Sequence, residues 1–505
     1  MKRLILFFVL YPILLNAQAK FDDTWLFGGN GGDSIAGFGG TVLKFNIQPP
    51  SNTYAHLPLI INASSAISDS LGNLLFYCNG CEIANSMHQI MENGDEINEG
   101  GYVYEQSCLP GYGYDTDQGV MTLPYPGSSD KYILLQLHRP GQARLIEKLL
   151  YTEVDMSQDA GLGAVTAKNQ LLFKDTMVDM LTAVRHANGR DWWIVLPKFN
   201  APTYYVFLLS PNGISAPLIQ YGLGEPIIVG SWGIQATFSP NGKKYANLSW
   251  QAGLQVFDFD RCTGRMSNPV RVPFPSENFF ASGVAFSSSS RYLYASTIDL
   301  HQFDMTVSPL ADSRTTVGIF DGFIEAGVPV NFYQLMLAPD HKIYMSTGNG
   351  SRYLHVIRQP DKKGADCEFV QRDVHLWGYH AFSVPNFPHF RLFDVPGSPC
   401  DTLGINGLQP PEDTLVPPDP PLPCAGDIRL HPNPATTMTL LELPQCQGGL
   451  LTVFDVAGRK VQEIPLAAEV VSVPLDVSRY VAGVYLLRIR TADGKVVTRS
   501  LAVVR

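Results

Sequence analysis

The sequence predicts an all-β protein: a β-propeller of seven blades, with six as the alternative, followed by a small Ig-like β-sandwich. Three observations lead to this prediction. Glycine is frequent (45 residues), aromatic residues make up 11% and charged residues only 16%, a balance that favours short strands and tight turns. A strand–turn–strand unit recurs between residues 60 and 350. Short alternating strands also fill residues 427–505.

The start of the chain predicts a secretory signal peptide over residues 1–19. Lys2 and Arg3 precede an apolar run at 4–15, and small residues at 17–19 suit a cleavage site. A membrane anchor would need about 20 apolar residues, and this run is shorter. We therefore expect an exported protein.

The charge balance bears on the partners. Lys and Arg number 36 and Asp and Glu number 46, so the formal net charge is −10, and it becomes −12 once Lys2 and Arg3 are removed. Such a chain is repelled by phosphate backbones and by anionic lipid surfaces. No nucleic-acid partner is expected.

The repeated unit consists of a small or apolar strand, a polar turn and a strand rich in Tyr, Leu and Ile, most clearly at 66–77, 236–246 and 284–294. Its turns recur every 48 to 60 residues, near the roughly 40 to 50 residues of a four-stranded propeller blade. One such unit cannot bury both faces alone, so the units are expected to stack radially. The turn residues are Gly72, Ser129, Gly189, Gly242, Ser290 and His341.

Six units are visible, and the ends of the region supply a seventh. Segments 25–28 and 42–46 are expected to pair with strands at 369–374 and 390–393. Such pairing would close the ring and remove its exposed edges. The propeller is thus assigned to residues 20–395.

Residues 396–426 change character, because proline pairs recur there with few apolar residues between them. This composition favours extended polyproline geometry and predicts a semi-rigid linker. The final domain, 427–505, is a small β-sandwich with alternating strands. These strands are expected at 450–454, 470–473, 484–489 and 496–501.

Four ordered motifs in this last domain resemble the type A sorting domain of the type IX secretion system, at 430–435, 453–459, 475–478 and 482–487. Asn433 lies between two prolines, where it is expected to fix a turn by bonding its own backbone. Gly458 and Gly483 are expected at turns that tolerate positive φ. The sorting-signal residues are Pro432, Asn433, Pro434, Asp455, Gly458, Arg459, Gly483 and Tyr485.

The resemblance implies two partners for residues 427–505: the type IX translocon and a sortase-like peptidase that removes the domain. It also implies a location in the medium or at the outer-membrane surface, reached through the periplasm. The cargo, from 25–28 through 67–77 and 88–94, resembles uncharacterised secreted β-propeller proteins of the same bacterial group. That likeness identifies an architecture and no chemistry.

Eight cysteines in an exported chain predict disulfide bonds, because the compartment is oxidising. The first expected pair is Cys81 with Cys108, and the second is Cys400 with Cys424. The Cys78–Cys81 spacing could belong to a metal knuckle, but no second ligand pair accompanies it. A hairpin turn flanked by cysteines is favoured.

No catalytic motif is present, so no catalytic residue, metal ligand or cofactor is assigned. His375, His380 and His389 could line a channel mouth and hold a metal, or belong to a turn-rich closing blade. Trp192 and Trp193 are expected to pack between blades. Two functions remain open. The favoured one is a binding or adhesion module for an unknown glycan or protein, and the alternative is a lactonase-like hydrolase or lyase with a metal at the channel mouth.

Overall fold

A computed structural model of the chain is all-β and divides into two compact units, Met1–Pro410 and Pro411–Arg505. The predicted signal peptide and most of the predicted linker lie outside the residues that the structure describes. No described helix is long and apolar enough to cross a membrane. The structure describes residues 20–29, 39–47, 49–61, 64–143, 145–228, 233–274, 283–380, 382, 384–405, 429–442, 447–456, 459–468, 472–491 and 496–504.

The described part of the first unit contains seven antiparallel sheets of three or more strands. The first three sheets are β1 (Thr24–Gly29), β2 (Gly39–Lys44) and β3 (Ser51–Ala55); β4 (Ser65–Ser68), β5 (Leu74–Cys78) and β6 (Ile83–Asn85); and β7 (Val120–Pro124), β8 (Lys131–His138), β9 (Ile146–Asp155) and β10 (Ala164–Met177). The fourth and fifth are β11 (Thr182–Arg185), β12 (Trp192–Pro197), β13 (Thr203–Ser210), β14 (Gly213–Ile214) and β15 (Leu218–Tyr221); and β16 (Gln235–Phe238), β17 (Lys244–Ser249), β18 (Gly253–Asp260) and β19 (Arg265–Val272).

The sixth and seventh sheets complete this unit. They are β20 (Gly283–Phe286), β21 (Tyr292–Ser296), β22 (Leu300–Asp304) and β23 (Thr315–Gly318); and β26 (Leu335–Leu337), β27 (Ile343–Met345), β28 (Ser351–Ile357) and β29 (Phe369–His380). A two-stranded hairpin, β24 (Ile324–Glu325) and β25 (Val328–Pro329), lies between them in sequence. Short helical turns occur at Tyr104–Cys108, Asp159–Gly161, Leu310–Ser313 and Gly364–Cys367.

The six turn residues identified in the sequence all lie between the first and second strands of a sheet, from the second sheet to the seventh. These hairpins need a left-handed residue, which glycine supplies without a steric penalty. Gly72, for example, has a φ of 89°. Ser290 and His341 adopt φ of 65° and 63° without being glycine. Five of the six turn residues are therefore left-handed, and in the third sheet Gly127 (φ of 82°) has that conformation in place of Ser129.

The first strands of successive sheets lie beside one another: β4 contacts β1 and β7, and β16 contacts β11 and β20. An isolated bridge between Gln118 and Met180 joins the residues that precede β7 and β11. β20 contacts β26, and β1 contacts β29 of the last sheet. The first sheet of this unit therefore packs against its seventh sheet.

Large apolar side chains fill the space between neighbouring sheets. Trp25 of β1 packs against Tyr344 of β27, with ring centroids 5.6 Å apart. Trp192 and Trp193 of β12 are both buried, as expected for residues that pack between sheets. Burial of such rings is a main source of stability in this unit.

Residues 384–395 form no strand and instead run beside the first strands; we call them the axial segment. Near its start, Asn386 Nδ2 donates to Leu181 O, the residue before β11 (3.0 Å). Near its end, Val395 N donates to Ala187 O, beyond the end of β11. The segment therefore travels the whole length of β11. The expected strand at 390–393 was wrong. Its apolar residues pack between sheets and do not pair with a neighbouring strand.

The second unit consists of two antiparallel sheets. One contains β30 (Arg429–His431), β31 (Met438–Glu442) and β34 (Ser472–Asp476); the other contains β32 (Gln447–Phe454), β33 (Lys460–Ala468), β35 (Gly483–Thr491) and β36 (Val496–Val503). Leu441 and Leu475 of the first sheet share one core with Leu451 and Leu487 of the second. The alternation of buried and exposed residues along β35 places this core between the sheets.

Candidate functional site

Three buried glutamine side chains link different sheets of the first unit through hydrogen bonds. Gln118 exchanges two hydrogen bonds with the backbone of Ala236 (2.7 and 3.1 Å). Gln235 Oε1 accepts from Val284 N and Leu335 N, and Gln334 Nε2 donates to Asp117 O. Each amide thus ties the start of its own sheet to another sheet.

Asn386 of the axial segment occupies the same region. Its Nδ2 donates to Val120 O and Leu181 O, both at 3.0 Å, and its Oδ1 accepts from Gln118 (3.3 Å). Its backbone N–H donates to Ser64 O (2.9 Å). One asparagine therefore joins the starts of three first strands.

Two aspartates lie beside this network, and both are buried. Asp117 Oδ1 accepts a hydrogen bond from Tyr333 Oη (2.7 Å), and Asp179 Oδ2 accepts from Asp117 N (3.0 Å). Carboxylates that accept such bonds stabilise a fixed backbone arrangement. Buried carboxylates near an axis can also serve as general acids or bases.

The other end of the axial segment is held by charge. Arg391 donates to Asp22 (2.7 and 2.8 Å) and to Asp23 (3.0 Å). Burial lowers the pKa of Arg391, but the two carboxylates outweigh it and raise that pKa. Burial also raises the pKa of Asp23. Beside them, Arg261 donates to the backbone oxygen of Phe393.

Arg185 ends β11 and is the one charged residue in the described first strands, where it has a packing role. Its guanidinium lies 3.9 Å from the centroid of the Trp192 ring. Burial, followed by the positive charge of Arg261, lowers the pKa of Arg185 to about 9. The side chain therefore contributes a buried cation–π contact.

A groove between the first and last sheets offers a cavity of about 290 Å³. Its lining comes from β2, β3, β27, β28 and β29 and from the residues just before β3 and β27. Ligand cavities usually have this mixture of apolar walls and a few polar groups. The lining residues are Leu43, Pro49, Pro50, Asn52, Lys342, Tyr344, Val356, Asp373, Val374 and His375.

The formal charges in this groove are already paired. Lys342 Nζ lies 3.3 Å from Asp340 Oδ2, which also accepts from Tyr344 Oη (2.9 Å). Asp373 accepts two hydrogen bonds from Arg358 (2.8 and 2.5 Å). The groove consequently presents polar atoms without a strong net charge.

Two exposed aromatic residues extend the groove along β29 and β3. Trp377 is 57% exposed, and its Nε1 donates to Asn52 O (3.2 Å). Tyr54 is 46% exposed and pairs in register with Thr41, whose Oγ1 accepts from Trp377 N. His375 and Trp377 are both exposed, and Leu376 between them is buried.

A second surface is the stapled loop, which we define as residues 98–115. Cys108 in this loop forms a disulfide with Cys81, as expected. Arg139 Nη1 fixes its end by donating to the backbone and carboxylate of Asp115, both at 3.0 Å. Tyr102, Leu109 and Tyr112 stand exposed on it. Such Tyr- and Gly-rich loops are typical of binding surfaces.

The second expected disulfide, Cys400 with Cys424, was wrong. Cys400 bonds to Cys262, 138 residues away in sequence. Cys262 follows β18, and the path of the axial segment carries Cys400 to it, a juxtaposition that spacing along the chain cannot indicate. Cys424 lies outside the described residues.

The Cys78–Cys81 stretch forms a hairpin turn between β5 and β6. Asn79 Oδ1 accepts from Cys81 N (3.0 Å) and from Glu82 N (2.9 Å). Cys78 is a buried thiol, and burial raises its pKa to about 12. A thiol of that kind is inert as a nucleophile or metal ligand at neutral pH.

The three histidines of the C-terminal region do not come together. His375 is exposed in the groove, whereas the Nε2 atoms of His380 and His389 bond to the backbone oxygens of Tyr353 and Phe238. Among the described residues, no group of three His, Cys, Asp or Glu side chains could hold a metal ion.

In the second unit, Asn433 acts differently from expectation. Its Nδ2 donates to Ser500 O and its Oδ1 accepts from Ala502 N, both at 2.9 Å, so it bonds to β36 rather than to its own backbone. Pro432 O accepts from Thr439 Oγ1 (2.8 Å). The exposed prolines, including Pro434, therefore flank a clamp on the last strand.

The remaining motif residues hold turns or the core. Asp455 accepts from the backbone N and the Nε of Arg459 (2.9 and 2.8 Å), and the Arg459 side chain is 82% exposed. Tyr485 is buried, with its hydroxyl donating to Val481 O (2.8 Å). Gly483 begins β35 with a nearly extended φ of 159° rather than a turn conformation. Gly458 lies outside the described residues.

Residues 429–503 match the family profile described as a secretion system C-terminal sorting domain. The chain is therefore a cargo of a dedicated secretion system, and residues 429–503 are its sorting domain. That system is the type IX secretion system, which delivers its cargo to the cell surface or the extracellular space.

No curated protein matches the chain. A solved structure from Bacteroides uniformis, proposed to be a 6-phosphogluconolactonase, is 14% identical, with a TM-score of 0.41, covering 70% of this chain and 96% of that one. A gluconolactonase from Xanthomonas campestris is 10% identical (TM-score 0.30; 61% and 86% covered). The extracellular domain of a proposed one-component system from B. thetaiotaomicron is 10% identical (TM-score 0.39; 97% and 58% covered). At these TM-scores neither fold nor activity transfers to this chain.

Sequence reasoning missed the groove and the axial segment. The signal for the groove was available, because His375, Trp377 and Tyr379 alternate along one strand. The axial segment has no periodic pattern. Its role depends on amide hydrogen bonds to residues 205 and 266 positions away.

Proposed function

We propose that the first unit is a seven-bladed β-propeller that works outside the cell as a binding module. The seven sheets, with first strands side by side, support this architecture. The observation that carries the functional choice is the network of buried amides between the starts of the sheets. Gln118, Gln235, Gln334 and Asn386 occupy the place where a propeller enzyme would gather its catalytic groups.

A binding role uses surfaces that stay accessible, and two are present. The groove offers a cavity with paired charges and an exposed tryptophan. The stapled loop offers tyrosines on a backbone fixed by a disulfide and by Arg139. Fixed aromatic side chains bind with little loss of conformational entropy.

Hydrolysis is the second candidate, and the closeness of Asp117 and Asp179 favours it. In that case one of the two carboxylates would act as general acid or base. Tyr333 already donates to Asp117, however, which suits a structural acceptor equally.

One experiment separates the two. The mature chain is applied to immobilised neutral polysaccharides, acidic polysaccharides and proteins, and both retention and released products are measured. We expect saturable retention on one polymer with no chemical product. Product formation that disappears in Asp117→Asn or Asp179→Asn would replace the binding function with hydrolysis.

A further inference from the structure

We propose that the groove between the first and last sheets binds a neutral carbohydrate, with Trp377 as the stacking platform. This inference rests on the proposed binding function and names its ligand class. It is carried by the cavity beside Asn52 and His375, together with the exposed Trp377 ring that continues it.

The exposure of Trp377 is the first step. Trp25, Trp192 and Trp193 are buried, whereas Trp377 leaves more than half of its surface in water. Its Nε1 is engaged by Asn52 O and its backbone N by Thr41 Oγ1, so the ring is held in place rather than loosely solvated. A fixed and exposed indole face is suited to stacking on an apolar ring face.

The charge pairing selects the ligand class. Because Lys342 is paired with Asp340, and Asp373 with Arg358, an ionic ligand would have to compete with existing ion pairs. Hydroxyl groups make no such demand, since they can add hydrogen bonds to already paired carboxylates and to an ammonium group. A polyhydroxylated neutral ligand is therefore favoured over a phosphate or a free acid.

Hydrogen-bonding capacity remains on the groove walls. Asn52 donates its Nδ2 to His375 O (2.8 Å), while its buried Oδ1 accepts no hydrogen bond from the part of the chain that the structure describes. A buried acceptor of that kind costs free energy until a donor reaches it. The imidazole of His375 is exposed and packs edge-on against Tyr353, 5.1 Å between ring centroids.

The dimensions set the length of the ligand. A cavity of about 290 Å³ lies at the small end of ligand sites, which suits one sugar ring. Trp377 and His375 both bond to Asn52, so the Trp377 ring lies next to the cavity and can receive the next sugar ring. We therefore expect short oligosaccharides to bind better than monosaccharides.

The test is titration of the mature full chain with neutral trisaccharides of glucose, galactose, mannose or xylose, followed by tryptophan fluorescence and calorimetry. We expect saturable binding of at least one trisaccharide, weakened about tenfold or more in Trp377→Ala. Tyr221→Ala is the matched control, since Tyr221 is an aromatic residue 75% exposed on another sheet, and it should bind like wild type. His375→Ala provides a second variant should Trp377→Ala unfold.

Two results would overturn the assignment. One is the absence of trisaccharide binding at millimolar concentration, and the other is equal affinity in wild type, Trp377→Ala and His375→Ala. If the protein is still retained on a protein or acidic polymer, the groove assignment fails while the binding function stands. If it is retained on nothing and releases products, both fail.

Discussion

Asparagine side chains in this protein join segments that are distant in sequence. Each primary amide offers two donors and an acceptor with two lone pairs, so one side chain can satisfy several backbone groups at once. Asn386 serves Val120 and Leu181 in the first unit, and Asn433 serves Ser500 and Ala502 in the second. Neither role can be inferred from the residue's neighbours in sequence.

Substituting Asn386 should destabilise the first unit. Asn386→Ala leaves the carbonyls of Val120 and Leu181 and the amide of Gln118 without their partner in a buried site. We expect a loss of about 2 to 4 kcal/mol in the free energy of unfolding, measured by urea denaturation. The exposed Asn212→Ala should change it by less than about 0.5 kcal/mol. Equal effects of the two substitutions would contradict the axial role.

His355 should make the stability of the first unit depend on pH. Burial lowers the pKa of this imidazole to about 4, and the charges of Arg372, Asp321 and His380 act on it in opposing directions. Between pH 6.5 and 4 the unfolded chain therefore binds a proton that the folded chain does not. The free energy of unfolding should fall as pH drops through this range, by at most about 3 kcal/mol.

The variant His355→Gln, unfolded at several pH values, tests this expectation. Its stability should change less between pH 6.5 and 4 than that of wild type, while the exposed His341→Asn should follow wild type. A wild-type slope retained in His355→Gln would assign the acid sensitivity to other groups.

At the scale of elements, the hairpins were predictable and the axial segment was not. Turn residues such as Gly72 and Gly242 mark their hairpins locally, because the conformation they allow is a property of the residue itself. Phe390 belongs to a segment that looks like a strand, yet its ring packs against Trp192 at 5.7 Å. Tertiary packing determines the conformation of this segment, and a short apolar stretch of sequence does not indicate which packing it will adopt.

The Cys262–Cys400 disulfide should hold the axial segment in place. It closes a stretch of 138 residues, and a loop of that length corresponds to at most about 5 kcal/mol of stabilisation through the unfolded chain. We expect Cys262→Ser/Cys400→Ser to lower the free energy of unfolding and to expose residues 384–405 to protease. If residues 384–405 stay equally protected from protease, the contacts of Arg391 and Asn386 are sufficient to hold the segment in place.

The Cys81–Cys108 disulfide should act more locally, because only 27 residues separate its cysteines. We expect Cys81→Ser/Cys108→Ser to permit cleavage within 98–115 at protease concentrations that leave wild type intact. The groove should keep its ligand in this variant. Fragments arising elsewhere first would mean that the bond supports the whole unit.

For the whole molecule, export and cargo structure are expected to be separable. The sorting domain matches at 429–503, and its core residues, such as Leu441 and Leu487, pack among themselves. Deleting 427–505 should leave the first unit folded but trapped in the periplasm, detected by fractionation and by the protease resistance of the retained protein. Normal levels of the truncated protein in the medium would contradict the sorting role.

The Cys262–Cys400 disulfide would decide how the axial segment is held if the sorting domain were removed. A cut beyond residue 405 would lie downstream of two attachments in the described chain, since Cys400 is bonded to Cys262 and Arg391 to Asp22. The new C-terminus would therefore stay covalently attached to the first unit. Trimming it as far as Cys400 would not release the axial segment. Loss of the sorting domain would thus leave the first unit held together by the same bonds as before.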